Sequence, residues 1–169
     1  RDRVWDNEIV LMFCGHAIKR KRPDRFVSLI SELYKLGQKD AIKVRGKFAS
    51  EGPEKFACMN MAEELGISDQ IEWLPFLPRE VMIREISSAD YFVLLSDSEA
   101  YGISVAEAIS LGTPAIISNN TALTEFSSNR GVILLDNPDD MVSNARGIIS
   151  LRSKGTRVEI TAETNIVTW

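Results

Sequence analysis

The chain has 169 residues, 44% hydrophobic and 26% charged, enough for one ordinary domain with a sizeable core. That balance excludes disordered, collagen-like and coiled-coil chains. Twenty Lys and Arg against twenty-four Asp and Glu leave a net charge of −4, which argues against bulk electrostatic binding of nucleic acid, a task for a basic face.

In chain order, short continuous apolar runs alternate with longer segments of helical period. Ile9-Val10-Leu11-Met12-Phe13-Cys14 ends at Gly15. A helix pattern follows through Phe26, Leu29, Ile30, Leu33 and Leu36, with Gly37 as a C-terminal stop. Residues 41–45 form a weaker strand candidate. A second helix is expected through Phe56, Met59, Ala62, Glu63 and Leu65 before Gly66. Residues 71–74 are again strand-like, and a third helix runs through Val81, Ile83 and Ile86 after Pro78. Tyr91-Phe92-Val93-Leu94-Leu95 is the next apolar run, then a helix over 104–111 and a strand over 115–117. Val132-Ile133-Leu134-Leu135 precedes a last helix over 138–151. Runs that are apolar at every position suit strands covered on both faces. Strand–helix alternation implies parallel strands joined by right-handed crossovers.

The expected fold is therefore α/β, a doubly wound, mostly parallel sheet of about six strands, as one domain over 1–169. Ligands of such sheets bind beyond the carboxyl ends of the strands. That rule directs attention to residues 15–22, 46–51, 76–78, 96–104 and 118–125. No apolar run reaches the ~18 residues of a membrane span, and Arg1-Asp2-Arg3 carries no signal-peptide pattern. Cys14 and Cys58 read as reduced thiols in a cytoplasmic protein. One histidine and no His/Cys cluster leave no zinc site to expect. The abrupt charged start and the end at Trp169 suggest a piece of something larger.

The richest segment is Ser96-Asp97-Ser98-Glu99-Ala100-Tyr101-Gly102-Ile103-Ser104-Val105-Ala106-Glu107-Ala108. It leaves a buried strand, turns at a glycine and opens a helix. The backbone amides of Gly102, Ile103, Ser104 and Val105 are the expected open donors of that helix, a ready seat for phosphate. Glu99 and Glu107 could accept hydrogen bonds from sugar hydroxyls. Ser104 and Glu107 also stand at the spacing of a capping box, in which Glu107 would satisfy the Ser104 amide.

With Gly112-Thr113-Pro114 at the expected offset, this segment resembles the Glu-x7-Glu signature of retaining GT-B-type glycosyltransferases, the group 1 family. The resemblance extends over about 8–151, the family's C-terminal, donor-binding domain, and more weakly to 161–169. Residues 67–74 are similar to the segment feeding its nucleobase pocket. The resemblance implies a domain that binds a nucleotide sugar such as a UDP- or GDP-sugar. In the full-length protein the sugar would pass to an acceptor hydroxyl with retained configuration. It places the catalytic role on Glu99, at the transferred sugar, and ribose binding on Glu107. Gly15, His16, Lys21, Gly102, Ile103, Ser104, Thr121 and Ala122 fall at the donor diphosphate, and Phe76 and Leu77 at the base.

Two departures stand out. His16 occupies the place of the family's phosphate-clamping arginine, for which Arg20 or Arg22 could compensate. Thr121 and Ala122 replace a glycine pair in the loop that ends at Glu125. Taken alone, Lys19-Arg20-Lys21-Arg22 also reads as a solvated basic run, and residues 76–78 as a turn opening a helix. Arg45-Gly46-Lys47 matches the family's Gly-x-Gly turn only in its first glycine, and Trp5 and Trp73 read as packing residues.

No Asp-x-Asp motif occurs, so neither an obligatory divalent ion nor another cofactor is expected. The implied partners are the nucleotide-sugar donor, an N-terminal acceptor-binding domain and an acceptor such as a lipid-linked sugar or polysaccharide. The expected location is cytoplasmic, with peripheral attachment at the membrane face open. The main rival is a non-catalytic module that kept the fold and lost phosphate affinity; a nucleotide-sugar 2-epimerase lacks its histidine-rich acidic pattern here.

Overall fold

The computed structural model describes residues 7–119 and 121–153, with backbone alone at Thr121 and Ser153; Trp5, Asn120 and the stretch 161–169 lie outside the described residues. Six parallel strands form one sheet in the order β3-β2-β1-β4-β5-β6. They are β1 (Glu8–Cys14), β2 (Lys43–Ala49), β3 (Ile71–Leu74), β4 (Tyr91–Leu94), β5 (Ala115–Ser118) and β6 (Val132–Leu135). The helices are α1 (Pro23–Gly37), α2 (Lys55–Glu64), α3 (Arg79–Ser88), α4 (Ile103–Ser110) and α5 (Met141–Ser153). This is the doubly wound α/β fold expected from the sequence.

The central strands behave as their composition dictates. Every residue of β4 and β5 is buried, because helices cover both faces of the sheet. α1 starts at Pro23, whose fixed φ suits a first helical position, and lays Phe26, Val27, Leu29, Ile30 and Leu33 into the core. Phe13, Phe26, Phe48 and Trp73 form an aromatic cluster with centroids 4.8–6.0 Å apart, so Trp73 is a packing residue.

Two expectations need correction. β2 covers Lys43–Ala49 rather than 41–45. Ala41 sits in a left-handed turn at φ 55°, and the strand continues through Gly46, which pairs with Leu11. A Cβ at Gly46 would lie 3.1 Å from Ile30 and 3.2 Å from Phe26, so this glycine lets α1 close on the sheet and is no turn. The ligand-facing loop after β2 therefore begins at Ser50. On α2, the buried side chains are Cys58 and Ala62, whereas Phe56 is 71% exposed and Met59 and Leu65 are also exposed. Small residues, not large ones, face the core there, because α2 lies close against its neighbours.

A candidate donor-binding cleft at the switch point

The chain grows outward in both directions from β1 and β4, which pair through Leu11 with Tyr91 and Met12 with Phe92. Loops after these strands part at the switch point and leave a crevice. A cavity of about 500 Å³ opens there, within the usual size range of small-molecule sites.

Its first wall is the turn after β1. Gly15 adopts φ 123°, and a Cβ there would sit 3.2 Å from Lys21 Nζ, so the glycine lets the ammonium fold back over the turn. The turn is fastened to the loop after β2. Ala17 donates its amide to the Glu51 carbonyl at 2.8 Å, Glu54 donates to the Ala17 carbonyl at 3.0 Å, and Ser50 Oγ donates to the Gly15 carbonyl. Gly52, at φ 141°, stands so near the Ala17 backbone that a Cβ would be 2.5 Å from its carbonyl oxygen. Gly52, not Gly46, is the glycine that the close approach of these two loops requires.

The second wall is the loop after β4. Ser118 Oγ donates to the Ser96 carbonyl at 2.7 Å, and Ser96 Oγ donates to Glu99 Oε1 at 3.0 Å. Lys21 Nζ lies 3.6 Å from Glu99 Oε1 and Arg20 Nη1 3.4 Å from Glu99 Oε2. The Glu99 side chain is 9% exposed, held at the back of the cleft by one hydroxyl and two cations.

Gly102 then caps α4 in the left-handed conformation, φ 68° and ψ 42°. A Cβ on it would strike Leu123 at 2.6 Å, so the 3₁₀ turn Thr121–Phe126 supports the start of α4 from behind. The amides of Val105 and Ala106 both donate to the Gly102 carbonyl. Val105 is thus not an open donor, which corrects the sequence expectation. The amides of Ile103 and Ser104 precede the first intrahelical bond and carry the positive end of the helix.

Glu107 lines the same cavity. It makes no cap with Ser104; α4 has no side-chain cap, and Ser104 is already inside the helix. Instead Glu107 Oε1 accepts from Arg79 Nη1 at 2.8 Å, across from the first residue of α3. The capping-box alternative is excluded by this geometry.

Of the residues singled out from sequence, Gly15, Lys21, Phe76, Leu77, Glu99, Gly102, Ile103, Ser104 and Glu107 all line the cavity. His16 is exposed and does not line it, nor does Ala122; the Thr121 side chain lies outside the described residues. Glu125 is exposed. Phe76 is 75% exposed, an apolar plate at the mouth.

Sequence reasoning missed Arg79 and Gly52, and it named Ser96 only as part of its segment. The Gly52-Pro53 dipeptide was a legible turn signal, and Arg79 stood out as a cation at a helix start, where the dipole disfavours it. Cys14 also lines the cavity. Burial pushes its thiol up to about 12, and the Glu107 carboxylate adds to the shift while Lys21 opposes it.

Beside the cleft a second charged group performs a structural task. Arg25 is buried and donates to Asp139 through Nε and Nη2, both at 2.7 Å, to Asp97 at 2.7 Å and to the Leu95 carbonyl at 2.9 Å. Arg22 adds a two-pronged bond to Asp24 and contacts Asp97 and Asp139. The hydrogen bond from Arg25 holds the Asp139 carboxyl below its usual range. Arg22 is thereby committed to acids and does not line the cleft.

The chain is similar to known proteins in sequence and in fold. The model of the glycosyl transferases group 1 family matches residues 2–164. A GDP-mannose-dependent alpha-(1-6)-phosphatidylinositol dimannoside mannosyltransferase of Mycobacterium tuberculosis is 27% identical over 164 residues, 96% of this chain and 41% of that protein. A D-inositol 3-phosphate glycosyltransferase of Nocardia farcinica is 31% identical over 112 residues, 64% of this chain and 25% of that protein. The fold also matches sucrose-phosphate synthase from Thermosynechococcus elongatus, with a TM-score of 0.76 at 18% identity over 92% of this chain and 38% of that one. The chain thus spans about two-fifths or less of the length of these relatives. It belongs to the glycosyl transferases group 1 family.

Proposed function

We propose that the chain is the donor-binding domain of a retaining glycosyltransferase, and that the acceptor-binding domain lies N-terminal to it in a longer protein. One observation carries the reading: Glu99, Glu107, Lys21 and the open turn of α4 converge on a single cavity. A nucleoside diphosphate sugar fits that arrangement. Its diphosphate would meet Lys21, Gly15 and the amides of Gly102, Ile103 and Ser104. The ribose hydroxyls would donate to Glu107, the base would lie against Phe76 and Leu77, and the sugar would reach Glu99.

During transfer the bond between the sugar carbon and the diphosphate oxygen breaks, and its electron pair leaves on the diphosphate. The acceptor oxygen bonds to that carbon and gives its proton to the departing diphosphate. The growing negative charge is met by Lys21 and by amides already oriented at a helix start, the kind of preorganised stabilisation that lowers such barriers. Glu99 orients the sugar through its hydroxyls. Among the described residues no three His, Cys, Asp or Glu side chains gather as a metal site. The proposal assigns the charge to Lys21 and the amides, with transfer expected to persist in EDTA. A cytoplasmic site of action, at or near a membrane face, belongs to the same proposal. Among the described residues no helix is long and apolar enough to cross a membrane.

Calorimetric titration with UDP, GDP and their sugars is the test. GDP-mannose comes first, since the mycobacterial relative is named for it. One nucleotide should bind, and Glu107→Ala should lose at least tenfold in affinity, the cost of a charged hydrogen-bond acceptor, while the melting temperature holds. In the full-length enzyme Glu99→Gln should cut transfer about 100-fold or more. The exposed position of His16 favours one second reading, a fold-keeping module without phosphate affinity. Indifference of the wild-type chain to every nucleotide would establish it.

A further inference from the structure

We propose that Arg20, rather than His16, supplies the second cation for the donor diphosphate, a role that rests on the nucleotide-sugar reading above. The charge balance of the cleft motivates it. The cavity walls carry two cations, Lys21 and Arg79, and two carboxylates, Glu99 and Glu107, so the cleft is neutral before any ligand arrives. Arg79 is already engaged by Glu107 at 2.8 Å. A diphosphate is anionic on both phosphates, and two carboxylates in the same cleft repel it unless further positive charge is brought in.

The neighbouring basic groups are eliminated in turn. Arg22 and Arg25 share the carboxylates of Asp24, Asp97 and Asp139. His16 and Lys19 are exposed and do not line the cleft. Arg20 is exposed and outside the lining residues as well, but it contacts one of them. Its Nη1 is 3.4 Å from Glu99 Oε2 and 2.5 Å from the Ser98 carbonyl, so it touches a wall of the cleft. Its carbonyl accepts from the Asp97 amide at 2.9 Å, and its side chain is 45% exposed, within reach of solvent and of an arriving anion. A guanidinium can hold a carboxylate and a phosphate oxygen through separate N–H groups of its fork.

Arg20 and Lys21 therefore form a pair gripping Glu99 until an anion competes for them. The arriving diphosphate draws both cations toward itself and leaves the Glu99 carboxylate available to a sugar hydroxyl. The ligand can drive that rearrangement because it interacts differently with the two arrangements.

The test compares GDP and UDP with guanosine and uridine on the full chain, by calorimetry or displacement. Arg20→Ala should weaken the diphosphate about tenfold, as for loss of one charge-assisted contact, and leave the nucleoside unchanged. Arg20→Lys should restore most of the loss, and His16→Ala should change neither ligand. A melting curve for each variant separates binding loss from unfolding. Wild-type affinity for the diphosphate in Arg20→Ala overturns the assignment, as does an equal loss for nucleoside and diphosphate. A phosphate-specific loss in His16→Ala overturns it too. A wild-type chain that binds no nucleotide overturns the parent reading instead, and is recognised before any variant is made.

Discussion

Lys21 and Arg25 stand four residues apart, one in the turn that ends the basic run and one in the first turn of α1, and their surroundings differ sharply. Arg25 is enclosed and saturated: four hydrogen bonds reach two carboxylates and a carbonyl. They tie α1 to the end of β4 and to the segment leading into α5. Lys21 has a single carboxylate neighbour at 3.6 Å, longer than a hydrogen bond, and looks into a cavity. The difference teaches how to separate structural from ligand-facing charges in one loop. A saturated set has nothing left to offer a ligand, whereas a loosely paired set can change partners at little cost. The strap formed by Arg22, Arg25, Asp24, Asp97 and Asp139 is of the first kind. The group around Glu99 is of the second.

The sharpest way to break this comparison is to cut the strap. Arg25→Ala leaves the Leu95 carbonyl without its donor and removes the tie between three segments. Breaking a buried pair costs about 3–5 kcal/mol. Because Asp97 and Asp139 are more than half exposed and can rehydrate, about 3 kcal/mol is expected, read as a lowered midpoint in urea. Nucleotide affinity measured well below that midpoint should change far less than in Glu107→Ala. An affinity loss without a stability loss would reverse the assignment of the two charge sets.

Gly102→Ala probes the boundary between the regions. A non-glycine residue in the left-handed conformation costs roughly 1–2 kcal/mol, and the added Cβ would also press on Leu123 at 2.6 Å. A stability loss of about 2 kcal/mol is expected. Unlike the strap variant, this one should also weaken nucleotide binding severalfold, since it displaces the amides of Ile103 and Ser104. Paired titrations of both variants check the contrast.

These residues also explain what could be read in the sequence. Continuous apolar runs announce themselves by composition, and so β1, β4, β5 and β6 were legible, although β6 is an edge strand in which only Leu135 is buried. β2 was misplaced because Lys43, Arg45 and Lys47 break its apolar run, and because Gly46 suggests a turn when its real use is to admit Ile30 and Phe26. α2 was placed correctly but turned wrongly; a face made of Cys58 and Ala62 is too slight to outweigh Phe56 and Met59 in a periodicity count. At the cleft, both acids and the helix start were legible from spacing. Their partners were not. Arg79 reaches Glu107 across 28 positions of sequence and Arg25 reaches Asp139 across 114, and local pattern carries no record of such pairs. The choice between cap and cleft for Glu107 was likewise decided by where α4 begins, a matter of one or two residues at a helix end.

Acid titration separates the two regions most gently. Asp139 is the strap carboxyl held below its ordinary value of 3.8, first by its hydrogen bond from Arg25. A carboxyl whose folded pKa is depressed adds stability that is complete above the unfolded pKa and is lost as pH falls through the folded one. The strap should therefore be intact at pH 5 and above and weaken as the pH drops below about 4. Asp139 is 61% exposed, so solvent screening keeps its share under about 1 kcal/mol. The measurement is a difference between two curves: urea midpoints of the wild type and Asp139→Asn from pH 6 to pH 2.5. The curves should lie apart at pH 6 and converge toward the acid end, because protonation does to the wild type what the substitution has already done. In an Arg25→Ala background the pH-dependent gap should shrink to the smaller share that Arg22 supplies. A gap of undiminished size there would mean that the depression of Asp139 comes mainly from Arg22, and that the strap is centred one turn earlier in the chain, nearer to the cleft.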